Sequence, residues 1–173
     1  MPSSVGIRRR QSHHPLLFLD FDGVLHPDAV YQERGRIVLR ADGLQLFEWV
    51  GILDELVAPY ETLQIVLSTS WVQVLGFDIA YAHLPERIQR RVVGSTWHKT
   101  APRRWNRLSR YEQIQHTVER HRYSRWLAID DDGAGWGDEH RPNFVQTDPL
   151  LGLGAASAQS ELRSKLALLH QRT

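Results

Sequence analysis

Leu16-Leu17-Phe18-Leu19-Asp20-Phe21-Asp22-Gly23-Val24-Leu25 is the stretch whose reading decides the fold of this chain. Its first four residues are apolar without a break, and the run stops on an acid. An unbroken apolar run suits a strand covered on both faces, as in a parallel sheet; alternation would suit a half-exposed one. Asp20 and Asp22 stand two positions apart, so on an extended segment both carboxylates face the same side.

The same grammar recurs along the chain. Leu63 to Leu67 is a second apolar run and ends in Ser68-Thr69-Ser70. Arg91-Val92-Val93-Gly94 is a weaker third, and Trp126-Leu127-Ala128-Ile129 a fourth that ends in Asp130-Asp131-Asp132. Phe144-Val145 reads as a fifth. Helical patterns lie between them. Leu46, Phe47, Val50, Leu53, Leu56 and Val57 recur at helical spacing, with Asp42 and Gln45 as a cap. Ser109 and Glu112 form a capping-box pattern opening Tyr111 to His121, with Ile114 and Val118 on the inner face. Leu162, Leu166 and Leu169 mark a C-terminal helix. Tyr31 to Leu39, around Arg34-Gly35, reads as a small hairpin, and Asp132 to His140 as a loop. Strands alternating with helices predict an α/β, Rossmann-like parallel sheet with helices on both faces.

In such a sheet, ligands bind beyond the carboxyl ends of the strands. Three of the apolar runs end there in carboxylates or hydroxyls, which adjacent parallel strands would bring to one patch. Crowded carboxylates need a cation or a shared proton, and oxygen-only ligands select a hard cation such as Mg2+. Acids, a hydroxyl, magnesium and a nearby base are equipment for phosphoryl transfer.

The residues from Leu16 to Leu25 resemble the first motif of the haloacid dehalogenase (HAD) superfamily, an apolar strand followed by D-x-D-G-x-L. Ile65-Val66-Leu67-Ser68-Thr69 resembles the second motif, and Leu127-Ala128-Ile129-Asp130-Asp131 the fourth. The likeness spans about residues 15 to 150. Ser70-Trp71, the triple acid, Thr147-Asp148-Pro149 and Gly152-Leu153 are similar to HAD domains found in or near bacterial RNA-repair proteins. The resemblance implies a phosphatase in which Asp20 attacks phosphorus and Asp22 serves as acid and then base. It implies Mg2+ on the Asp20 carboxylate, the Asp22 backbone carbonyl, and Asp131 or Asp130. Thr69 would bind the phosphoryl oxygens, with Ser68 and Ser70 as substitutes. The third motif departs from a clean pattern. Arg110 is its first candidate cation, and Lys99 and Arg107 are the alternatives. There is little sequence between the motifs for a cap domain, so a minimal cap or none is expected. An open site would admit a bulky phosphorylated substrate.

Composition bounds these readings. At 173 residues the chain suits one domain, expected over 15–173 behind a flexible stretch over 1–14. Hydrophobic residues make up 42% and charged ones 24%, as in ordinary globular proteins, and a net charge of +1 gives no global field for a polyanion. The absence of cysteine excludes disulfides, thiolate nucleophiles and Cys-based zinc sites, and suits a cytoplasmic location. Arg8-Arg9-Arg10 before Leu16–Leu19 has the order of a secretion signal, but the apolar run is too short and acids interrupt it. No stretch approaches a membrane span. His13, His14 and His26 flank the first motif, and His26 reads as a surface or turn histidine in preference to a substrate contact; Trp71, Trp97, Trp105 and Trp136 lie near motif ends, where core or rim packing is the default reading and pocket lining or base stacking the alternative. Arg87 to Arg125 holds eleven basic residues against Glu112 and Glu119, with tryptophans interleaved. Such a segment is either a solvated face or a track for a nucleic-acid backbone. Two functions compete. One is a phosphatase on a nucleotide or nucleic-acid end; the other is a non-catalytic phosphate- or RNA-binding module, which would not require an acid/base at Asp22. A receiver domain would place its paired acids first and its phosphorylated Asp later, the reverse of the order here.

Overall fold

The computed structural model describes residues 14–171, so His13 and nearly all of the stretch expected to be flexible lie outside the described residues. Strand β1 (Leu16–Leu19) is followed by a hairpin of β2 (Val30–Glu33) and β3 (Arg36–Leu39), then by helix α1 (Val50–Val57). Strand β4 (Gln64–Leu67) leads into three short helices, α2 (Ser70–Leu75), α3 (Phe77–Ala82) and α4 (Glu86–Gln89). Next come β5 (Val92–Ser95), α5 (Arg110–His121), β6 (Trp126–Asp130), β7 (Phe144–Gln146) and α6 (Ala156–Gln171). The main sheet has five strands in the order β5-β4-β1-β6-β7, and every pairing is parallel.

Both faces of this sheet are covered, which is why its central strands read as unbroken apolar runs. Leu17 and Leu19 of β1 enter one core cluster with Leu53, Leu56 and Val57 of α1 and Leu162, Leu166 and Leu169 of α6. The alternate residues Leu16 and Phe18 enter a second cluster with Ile114 of α5, Trp126 and Trp136. The Ser109–Glu112 capping box is formed as expected and opens α5, and the 31–39 hairpin is present. Between β1 and α1 that hairpin is the sole added sheet among the described residues, which amounts to a minimal cap.

One helix differs from its expected start. The pattern from Leu46 predicts a helix capped at Asp42, yet α1 begins only at Val50. Phe47 adopts φ 59°, a left-handed conformation that no α-helix contains. Its ring packs against His26 and Trp71, a tertiary contact that outweighs local periodicity.

Candidate active site

Strand register builds the site. Leu19 lies opposite Leu67 on one side and Ile129 on the other. The next residues, Asp20, Ser68 and Asp130, therefore reach the carboxyl edge at the same level. The ladder runs one step further, with Asp20 N–H donating to Ile129 O at 3.2 Å and Ser68 N–H to Leu19 O at 2.8 Å.

Asp20, Asp130 and Asp131 each offer a carboxylate oxygen, and these oxygens lie within 4.8 Å of one another. Asp20 and Asp130 are buried and Asp131 is half-buried. Asp20 Oδ1 accepts from the Phe21 amide at 2.8 Å, and Asp130 Oδ1 from the Asp132 amide at 2.9 Å. Arg110 faces both acids, with Nε 3.3 Å from Asp130 Oδ2 and Nη2 4.0 Å from Asp20 Oδ1. The nearer contact lacks hydrogen-bond alignment, so Asp130 Oδ2 is buried without a hydrogen-bond partner among the described residues. Burial pushes Asp20 up to about 6; Arg110 opposes this, while Asp22 adds to it. Burial and the neighbouring Asp20 raise Asp130 well above the usual carboxylate range, and burial also raises Asp131. One guanidinium against three acids leaves a negative, oxygen-only cradle, in which Asp130 Oδ2 keeps lone pairs that no hydrogen bond uses. This donor set fits a hard divalent cation such as Mg2+.

Close approach of the loop after β1 makes this cradle possible. Gly23 sits at φ 70°, and a Cβ there would fall 2.5 Å from Asp131 Cγ. Its carbonyl accepts from the buried Thr147 Oγ1 at 2.7 Å, and the Leu153 amide donates to Val24 O at 2.9 Å. Thr147-Asp148-Pro149 and Gly152-Leu153 thus brace the D-x-D loop from behind.

The structure sorts the remaining expected residues. Thr69 is buried, but its hydroxyl caps α2 by accepting from Trp71 N at 3.4 Å. Ser68, level with Asp20, carries a buried hydroxyl with no hydrogen-bond partner among the described residues. Lys99 and Arg107 are exposed and make no ion pair with these acids. The Asp22 carboxylate stands apart from the three-acid cradle. It accepts instead from His26 Nε2 at 2.9 Å and from Trp71 Nε1 at 3.0 Å.

One expectation is corrected and one extended here. His26 closes the turn after Asp22 but is fully buried and bonded to Asp22, not at the surface, and Trp71 packs in the core as expected while also donating a hydrogen bond to Asp22. Each placement had one sequence signal. His26 follows Asp22 by four residues, and Trp71 follows a strand-end motif directly. Trp136 does pack as expected, stacked on Phe144 at 4.1 Å between ring centroids.

Over residues 16–158 the chain matches the model of a family described as the HAD domain in Swiss Army Knife RNA repair proteins. No curated protein and no solved structure matches it.

Proposed function

Because this chain belongs to the family of HAD domains in Swiss Army Knife RNA repair proteins, we propose that it is a magnesium-dependent phosphomonoester hydrolase working through an aspartyl-phosphate on Asp20. The observation that carries this reading is the buried Asp20 carboxylate, within 4.8 Å of Asp130 and Asp131 oxygens and facing Arg110.

Asp20 Oδ attacks phosphorus, and the bond from phosphorus to the leaving oxygen breaks. Asp22 gives its proton to that oxygen. Asp22 then takes a proton from water, whose oxygen displaces the Asp20 carboxylate and releases inorganic phosphate. Ser68 donates its free hydroxyl to the phosphoryl oxygens, the role the resemblance first assigned to Thr69. Arg110 balances charge on the nucleophile and the transferring group. Asp20, Asp130, Asp131 and the Asp22 carbonyl would hold Mg2+, which supplies charge neutralisation at the phosphoryl group.

A phosphorylated nucleic-acid end is the substrate class favoured by the surface. Lys99, Arg103, Arg104 and Arg107 are exposed, and among the described residues no ion pair engages them. They lie on the segment running from the carboxyl end of β5 to Arg110 at the acid cluster. The rival reading, a binding module without catalysis, leaves Asp22 and its two donors without a task.

The test is hydrolysis of an aryl phosphate with Mg2+ and with chelator, comparing the wild-type chain with Asp20→Asn. Magnesium-dependent turnover that the substitution abolishes is the expected result. Turnover indifferent to Asp20 overturns the mechanism.

A further inference from the structure

We propose that His26 and Trp71 are positioning residues that clamp the Asp22 carboxylate in the orientation from which it transfers its proton. The proposal rests on the reading of Asp22 as the acid/base and adds the residues that aim it.

The clamp has two layers. In the inner layer, His26 Nε2 meets Asp22 Oδ1 at 2.9 Å, and Trp71 Nε1 lies 3.0 and 3.1 Å from the two Asp22 oxygens. The indole nitrogen can only donate. In the outer layer, the Phe47 amide donates to His26 Nδ1 at 3.2 Å. That amide occupies the Nδ1 lone pair, so the ring proton sits on Nε2 and points at Asp22. Phe47 holds its amide there at φ 59°, a conformation that is costly for a residue with a side chain. Strain kept at a residue whose N–H orients another side chain suits a built device better than incidental packing.

The rings make the clamp rigid. Phe47 packs edge-on against His26, Trp71 and Phe21. His83 stacks on Phe47 at 5.2 Å between centroids and meets Trp71 edge-on. His26 is completely buried and Trp71 nearly so, while Asp22 remains 22% exposed. The donors are thus fixed from behind, and the carboxylate is open to a substrate in front. Backbone closure reinforces this, with the Gly23 amide donating to His26 O at 2.9 Å. The acid cluster uses none of these groups, so holding the cation does not account for them.

A clamp on a general acid has a kinetic signature that a merely structural residue lacks. Proton donation matters most when the leaving group is poor. The experiment compares 2,4-dinitrophenyl phosphate with phenyl phosphate for wild type, Asp22→Asn, Trp71→Phe, His26→Leu and His26→Gln. Trp71→Phe and His26→Leu are expected to lower kcat on phenyl phosphate about tenfold and on the dinitrophenyl ester less than about threefold, with KM nearly unchanged. His26→Gln, which can still present a donor, should recover most of the loss. Uniform losses across both esters, or none, overturn the clamp when Asp22→Asn is itself leaving-group selective. If Asp22→Asn shows no such selectivity in an enzyme that Asp20→Asn inactivates, the acid/base assignment falls, and the clamp with it. Nitrogen NMR of His26 gives a readout independent of turnover, whether or not the variants fold. A proton on Nε2 is expected, and a proton on Nδ1 overturns the proposal.

Discussion

At the residue scale, adjacent hydroxyls and adjacent acids divide their labour. Ser68 and Thr69 are neighbours, but register puts the first beside Asp20 and the second at the start of α2. Ser68→Ala is therefore expected to lower kcat of aryl phosphate hydrolysis with little change in melting temperature. Thr69→Ala should instead cost about 1 kcal/mol of stability through the lost cap, read by chemical denaturation. The buried acids also set a pH dependence. Asp20 titrates at about 6 against an ordinary 3.8, so the folded protein keeps a proton that the unfolded chain gives up. The stability this confers is complete below about 4 and is lost as pH rises through about 6, and Asp130 shifts in the same direction. Metal-free protein should thus melt lower at pH 7 than at pH 5. Added Mg2+ should raise the melting temperature more at pH 7, where the ligands are ionised. Equal shifts at the two pH values would separate these acids from the cation site.

At the scale of elements, the site depends on where helices and loops begin. The capping box at Ser109 sets the first turn of α5 and so the origin of the Arg110 side chain. Ser109→Ala should cost about 1 kcal/mol in denaturant and also reduce turnover, because the guanidinium loses its anchor. This start was legible because a capping box is a local pattern of two side chains and two amides. The start of α1 was not, because Phe47 obeys contacts to His26 and Trp71, distant in the chain. The brace behind the D-x-D loop is equally non-local. Gly152 has φ 43°, and a Cβ there would lie 2.6 Å from Val24 O and 2.4 Å from the Trp49 ring. Gly152→Ala should destabilise the fold by about 1–3 kcal/mol, seen as a lower denaturation midpoint, by overpacking against a backbone that cannot yield.

On the scale of the whole molecule, charge that looked continuous along the chain is divided by the fold. Arg87 pairs with Asp54 at 3.4 Å, Arg90 with Glu86 at 2.5 Å, and Arg91 donates to Tyr60 O at 2.6 Å. Arg110 serves the acid cluster, Arg120 and Arg122 are exposed at the far end of α5, and Lys99, Arg103, Arg104 and Arg107 form an exposed cationic stretch before its start. If a nucleic-acid end is the substrate, added salt should raise KM for a phosphorylated oligonucleotide much more than for an aryl phosphate. Substituting Lys99, Arg103, Arg104 and Arg107 by Gln should flatten that salt dependence and leave aryl phosphate turnover unchanged. No helix among the described residues is long and apolar enough to cross a membrane. The sequence by itself determined the parallel sheet, the capped α5 and the acids at the strand ends. Burial on both faces, local capping and the D-x-D motif are each written in contiguous residues. Tertiary structure alone decided that Ser68 is the free hydroxyl, that Arg110 faces Asp20 and Asp130, and that His26 and Trp71 hold Asp22. Those choices depend on register between strands and on packing between residues far apart in the chain, such as Asp20 with Arg110 and Asp22 with Trp71, which no local pattern encodes.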